Sequence, residues 1–333
     1  MPMLPIRSFF RSALLLMVFL GGIFGGGLYW FQHILHKAGP HQQDILLRVD
    51  PGDGHAVIRA KLARTGSLHQ IYHYDAARLI AGGRFMPKAG EFLLPTGASL
   101  SQIMAIIHQG RSYQRRLTII EGLRSADVVN ILNAMDLLQG RITDPPDEGS
   151  ILPDTYFFTY GTNRQDMIDR MQQARSIALA EAWIGREMAL PYQEPHDALI
   201  MASIIEKEAS NPKDRRLVAA VLVNRMRRNM RLQSDPTVLY ENALSPETPP
   251  IITKKDLKTK TPWNTYMMKG LPATPICNPG SDSLEAALHP EKSDFLYFVS
   301  DGMGGLRFAK TLDAHNRNVR LFRKFQKASK KGQ

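Results

Sequence analysis

The sequence predicts an α+β protein in three parts: an N-terminal transmembrane helix, a small α/β module and a larger α+β module. Three observations carry that expectation. A single uncharged apolar run extends from Ser12 to Phe31, long enough to cross about 30 Å of hydrocarbon as a helix. Beyond it, short β-like runs alternate with amphipathic helical segments punctuated by Gly and Pro. The remaining length exceeds what one small core needs. The expected boundaries are a cytoplasmic N-terminus at 1–11, an anchor at 12–34, the small module at 40–114 and the larger domain at 115–333.

Arg7 and Arg11 precede the apolar run and the flank has no acid, so the positive-inside rule leaves this end in the cytoplasm and sends the chain after Lys37 outside. A cleaved signal peptide shares the basic flank and apolar stretch. The run is longer than a usual signal h-region and no Ala-x-Ala-like site follows, so an uncleaved anchor is the reading taken. Gly21, Gly22, Gly25, Gly26 and Gly27 allow a small-xxx-small helix contact, although glycine is common in such helices.

Composition narrows the chemistry. The 333 residues are 44% hydrophobic and carry a formal charge of +11, with local excesses at Arg215 to Arg231 and Arg317 to Lys331. Outside the membrane, nucleic acid is not the expected partner of these stretches; an anionic lipid, an acidic polymer or plain solvent is. Cys277 is the only cysteine, which excludes an intramolecular disulfide, and neither Cys-x-x-Cys nor a metal-ligand cluster surrounds it. No metal and no cofactor are expected. A pyridoxal-phosphate lyase needs a Schiff-base lysine in a phosphate pocket; Lys207 is the tempting lysine, and no glycine-rich phosphate loop accompanies it.

In the small module, Asp44 to Val49 is β-like, Ala56 to Ala63 and His69 to Ala81 are helical, and Glu91 to Leu94 is a second strand. A helix from Ser99 to Gln109 has Ser99 as its cap and Gly110 as its stop. The strand-helix-helix-strand order, with Lys88-Ala89-Gly90-Glu91-Phe92 leading into the second strand, resembles LysM-type peptidoglycan-binding modules; a structural spacer gives the same pattern.

In the larger module, Leu117 to Glu121 reads as a strand, and Ser125 caps a helix to Gln139 with Gly140 as its stop. Glu148 to Tyr156 is a turn-rich loop, Gln165 to Glu187 a long helix, and Pro191 to His196 a break. The next helix carries Met201-Ala-Ser-Ile-Ile-Glu206-Lys-Glu208, Asn211-Pro212 ends it, and Arg216 to Arg228 forms another. On the first of these helices Glu206 ends a stripe of small and apolar residues, Leu199, Ala202 and Ser203, where desolvation favours the protonated form that a general acid needs. Glu208 is the rival, with Ile204 and Ile205 one turn back, and periodicity alone does not choose between them. The small neighbours of Glu206 leave more room for a ligand. For either glutamate the plain alternative is a residue salt-bridged to Lys207, Lys213 or Arg215 near the helix end. Leu232-Gln233-Ser234-Asp235-Pro236-Thr237 gathers an amide, a carboxylate and two hydroxyls that suit sugar hydroxyls and acetamides, although Asp235 also fits as a plain helix cap.

These residues, with Trp263-Asn264-Thr265-Tyr266, Gly270-Leu271-Pro272, Pro275-Ile276, Asn278-Pro279-Gly280, His289-Pro290, Tyr297-Phe298-Val299 and His315-Asn316, closely resemble the MltG or YceG-like family of endolytic murein transglycosylases. The resemblance covers nearly the whole chain beyond the apolar run. It departs from the family at Trp263, where a tyrosine is common, and at Ala273, where a proline is common; Trp263 still offers a ring face to a sugar.

The resemblance implies cleavage of the β-1,4 bond between N-acetylmuramic acid and N-acetylglucosamine in nascent strands, leaving 1,6-anhydro ends. It implies Glu206 as the catalytic acid, and Asn224, Gln233, Asp235, Thr237, Trp263, Asn264 and Tyr266 as glycan contacts. Peptidoglycan strands and cell-wall synthases (penicillin-binding proteins) are the implied partners, at the outer face of a bacterial cytoplasmic membrane. A non-catalytic peptidoglycan scaffold that recruits synthases is the competing expectation.

Overall fold

Alternation along Ile45–Val49 puts Leu47 and Val49 inward and leaves Leu46 and Arg48 outside, the period-2 pattern of a strand covered on one face. In the computed structural model, which describes residues 6–209, 211–242 and 251–329, this strand is β1 and pairs antiparallel with β2, Gly90–Leu94, with Leu47 opposite Phe92. Helices α2 (His55–Arg64) and α3 (Ile71–Ala81) lie between them in sequence, and α4 (Leu100–Gln109) follows. Their buried side chains, among them Ile58, Leu62, Tyr74, Phe92, Ile103 and Ile107, form one core. The predicted cap of α4 is present as a capping box: Ser99 Oγ accepts from Gln102 N–H, while Gln102 Oε1 accepts from Ser99 N–H. Gly110 closes the helix at φ 72°, a left-handed conformation that glycine adopts without a Cβ penalty.

Helix α1, Ile6–His36, precedes this unit. Its Ala13–His36 stretch, 24 residues, is long and apolar enough to cross a membrane, and Leu14 to Leu20 are all exposed. Phe31 and Leu35, at its far end, pack on the small core. The cytoplasmic tail expected at 1–11 lies partly outside the described residues.

The chain divides into two units, Met1–Arg115 with Phe158–Tyr160, and Arg116–Phe157 with Gly161–Gln333. In the second, β3 (Arg115–Thr118) pairs with β4 (Thr155–Phe158), and helices α5 (Ser125–Asn133), α6 (Arg164–Ile184), α7 (Pro195–Glu208), α8 (Arg215–Arg227), α9 (Asp235–Asn242) and α10 (Ser281–Leu288) follow in order. A β5–β6 hairpin (Tyr297–Ser300, Leu306–Ala309) and α11 (Leu312–Ser329) complete it; the sequence reading anticipates neither. The core is centred on α7, which buries every residue from Ala198 to Ile205 against α8 and α10.

Helix α5 ends at Asn133, well before the predicted Gln139, and Arg124 rather than Ser125 is its cap. The cause is tertiary. The buried Arg164 guanidinium donates to the carbonyls of Leu132 (2.7 Å), Met135 (2.6 Å) and Gly140, drawing on acceptors that a longer helix would need. Asn133 meanwhile turns its amide to both backbone groups of Ile142. Replacing Arg164 with Leu strands three carbonyls, and a loss of about 2–4 kcal/mol in urea unfolding is expected. An unchanged midpoint would show that the chain beyond α5 is held by other means.

Candidate functional site

Helix α7 stops with both glutamates in its last turn, because Ala209 leaves helical geometry and Asn211 caps the short turn at Pro212–Asp214. With about 3.6 residues per turn, two residues apart means roughly 200° around the axis, so the two carboxylates enter different surroundings.

Glu206 is engaged at both oxygens. Oε1 lies 3.3 Å from Arg215 Nη2 and Oε2 accepts the Gly280 N–H at 3.0 Å. Arg215 also holds Glu121 at 3.0 Å and Asp282 at 2.9 Å, so one guanidinium gathers three carboxylates. Gly280 is required for this approach: a Cβ there would overlap the Glu121 carboxyl. Asn278 ties the surround together, donating to Leu123 O and accepting from Ile151 N–H, while its backbone pairs with Gly122 and Leu123. Lys207 Nζ donates to Gly122 O at 2.9 Å. The buried Arg175 donates to Ile151 O and Pro279 O, and burial brings its pKa down to about 10.

Glu208 faces open space. It lines a cavity of about 280 Å³ with Arg225, Leu232, Gln233, Asp235, Tyr266, Phe298 and His315. It also lines a second, of about 340 Å³, with Asn211, Asp214 and the β5–β6 hairpin. Glu208 and Phe298 border both, so the carboxyl stands where the two spaces meet. Desolvation pushes its pKa up to about 7, and the Asp235 carboxylate adds to the rise; the Ser234 hydroxyl, donating at 2.6 Å, and Arg225 oppose it without cancelling it. Its place at a helix C-terminus also disfavours the charged form.

The turn beside Glu208 is pinned from behind. Ser234 N–H donates to Thr265 Oγ1 (3.0 Å), Thr237 Oγ1 donates to Ser234 O (2.7 Å), and the Thr237 and Thr265 hydroxyls lie 2.8 Å apart. Leu232, Ser234 and Thr237 are buried, while Gln233 and Asp235 are exposed toward the cavity. Gln233 sits at φ 52°, a left-handed conformation that costs about 1–2 kcal/mol for a residue with a Cβ. Tyr266 OH donates to Asp235 Oδ1 at 2.5 Å. Arg225, buried in α8, donates to Leu296 O and Leu232 O, both at 2.7 Å, and so fixes the start of β5 and this turn to one helix.

Of the sequence-predicted contacts, Gln233, Asp235 and Tyr266 therefore share a cavity with Glu208. Thr237 and Asn264 are almost wholly buried, and Asn264 donates to Asp256 O and Thr259 O. Asn224 donates to Ser293 O and Phe295 O and borders a separate cavity of about 600 Å³ that neither glutamate of α7 lines. Trp263 packs on Tyr240 at 5.4 Å and borders another space with Arg124 and Glu148. Sequence reasoning misses Arg225, Phe298 and His315 as wall residues and Gly280 as a holder of Glu206, while Arg215 is among the ion-pair partners it offered as the plain alternative. An arginine inside the apolar stripe of α8 was the available signal for Arg225. Among the described residues no group of His, Cys, Asp and Glu could hold a metal ion.

Residues 47–321 match the family described as the YceG-like family. An endolytic murein transglycosylase of Bacillus subtilis (strain 168) is 36% identical over 237 residues, covering 69% of this chain and 64% of that protein. One from Streptococcus pneumoniae (strain ATCC BAA-255 / R6) is 34% identical over 181 residues, 52% of this chain and 31% of that protein. The chain thus spans less than two thirds of the length of these relatives. The crystal structure of a yceG-like protein from Listeria monocytogenes superposes with a TM-score of 0.50 at 30% identity, over 83% of this chain and 98% of that one.

The raised pKa of Glu208 has a stability consequence. The folded state favours the neutral carboxyl, so this stability is full below the unfolded value of about 4.5 and is lost as pH rises through about 7. Glu208→Gln is therefore expected to be more stable than the parent by about 1–3 kcal/mol near pH 8 and nearly equal to it near pH 4.5. Urea titrations at both pH values test this, and a Gln variant no more stable at the higher value would refute the desolvated acid.

Proposed function

This chain belongs to the YceG-like family, and from that premise we propose that it is a membrane-anchored endolytic peptidoglycan lytic transglycosylase whose catalytic acid is Glu208. The observation that carries the assignment is the position of Glu208 at the junction of two cavities, with a carboxyl that desolvation keeps largely protonated up to neutral pH. An internal cut in a polymer needs space on both sides of the scissile bond, and the paired cavities supply it. The expectation drawn from the sequence put the acid at Glu206. With both oxygens of Glu206 taken by Arg215 and Gly280, that residue is better suited to holding the site than to moving protons.

In this reading Glu208 donates its proton to the glycosidic O4 as the bond from C1 of N-acetylmuramic acid breaks. The C6 hydroxyl of the same sugar then closes on C1, and its proton passes to the Glu208 carboxylate, which restores the acid. No water is consumed, so one carboxyl serves both steps, in contrast to the two-carboxylate arrangement of hydrolases. Gln233, Asp235 and Tyr266 present an amide, a carboxylate and a phenol to the sugar hydroxyls and acetamides along the same wall.

Helix α1 is assigned to the cytoplasmic membrane of a bacterium, with everything after Lys37 outside. The β1-α2-α3-β2 order supports a glycan-holding role for the first unit, and the synthases that polymerise the strand are the partners this activity implies.

Mass spectrometry of uncrosslinked glycan strands incubated with the protein tests the assignment. The parent is expected to release internal fragments with anhydro-muramyl ends, and Glu208→Gln to lose about 10²–10⁴-fold in rate. Reducing ends from the parent would mean attack by water; an active Glu208→Gln beside an inert Glu206→Gln would return the acid to Glu206. The rate is further expected to fall as pH rises past about 7, where Glu208 gives up its proton.

A further inference from the structure

Helix α11 divides cleanly by face. Ala314, His315, Asn318, Val319 and Phe322 turn inward toward the β5–β6 hairpin, and His315 stacks on Tyr297 with ring centroids 5.2 Å apart. At about 100° per residue, Arg317, Arg320, Arg323, Lys324 and Lys327 fall on the opposite side, and all five are exposed. None of them forms an ion pair among the described residues. Between Leu312 and Gln333 the sequence has seven Lys or Arg against one acid, Asp313, so more than half of the +11 charge of the chain lies in this short segment. Leu321, 49% exposed, edges the basic face with apolar surface, while the Phe325 ring lies against Gly302 in the turn of the hairpin.

We propose that the outer face of α11 docks on an anionic phospholipid bilayer, with its arginines and lysines at the headgroups and Leu321 at the boundary with the acyl chains. Two observations favour a bilayer over other anionic surfaces. An exposed apolar side chain, Leu321, adjoins the cations, the combination an interfacial helix uses and a purely ionic contact does not need. The same chain carries Ala13–His36, which keeps any docking surface at high effective concentration near lipid. The inference rests on the membrane reading of that helix and is independent of the catalytic one.

The test uses the full chain in lipid nanodiscs. Cys277 is fully buried, so a cysteine introduced by Leu321→Cys is the thiol that takes an environment-sensitive fluorophore. Co-purification with the nanodisc reports the anchor; emission reports the docking. Nanodiscs containing phosphatidylglycerol are expected to give a brighter, blue-shifted emission than those of phosphatidylcholine alone. The difference should vanish in about 1 M salt, where screening acts within about 3 Å. Each cation changed to Gln should lower the docked-to-free ratio about fivefold, and the fivefold-substituted chain should not respond. Equal emission in the two nanodiscs, or a substituted chain that still responds to phosphatidylglycerol, overturns the proposal. A shift that appears only when uncrosslinked glycan strands are added assigns the face to the polymer and overturns it as well. A chain that fails to co-purify removes the anchor reading itself.

Discussion

Arg215 and the carboxylates around it fix the end of α7, and the geometry of the cleft follows from that. The guanidinium is 11% exposed and its partner Glu206 7%, so this pair is shielded from the screening that makes surface ion pairs weak. Its other contacts bring in Glu121 at the end of the β3 segment and Asp282 at the start of α10, three segments distant in sequence. Asp282 is 73% exposed and adds little. Glu206 matters more, because removing one partner of a shielded pair leaves the other charge unsatisfied, while Glu121, 40% exposed, stands between the two. The apolar packing of α7 against α8 and α10 provides the driving force, and the ion cluster sets where the helix end stops.

That arrangement explains how two glutamates separated by one lysine differ so much. One is fastened by a cation and a backbone N–H; the other meets a hydroxyl, a distant guanidinium and the cavity space. Desolvation without a close cation is the condition that keeps a carboxyl neutral, and the helix supplies it on one side only.

Much of this was legible in the sequence. A first helix long and apolar enough to cross a membrane, the strand-helix-helix-strand order, the Ser99 cap and Gly110 stop, and the Glu-Lys-Glu end of an apolar helix all follow from local pattern. What failed depended on partners far along the chain. Helix α5 is cut short by Arg164, about 30 residues on, and no propensity argument contains that arginine. Glu206 appeared roomier because its helix neighbours are small, yet Ile276 and Cys277 bond to Ser203 and Gly280 bonds to Glu206 itself. Thr237 and Asn264 look like sugar ligands by type, but buried polar groups must find partners, and here the partners are internal. The hairpin strands are too short to give a periodic signal, whereas α11 carries a clear amphipathic pattern that the sequence reading left unassigned.

The hydroxyl lattice behind the Leu232–Thr237 turn separates two duties along a six-residue stretch. Alternate side chains point into Ser234, Thr237 and Thr265 or out into the cleft, so the turn keeps its shape through the inward set alone. Side chains 233 and 235 are thereby left facing the cavity, outside the hydroxyl lattice that shapes the turn. Frame and exposed surface are in that sense carried by different atoms of one short segment.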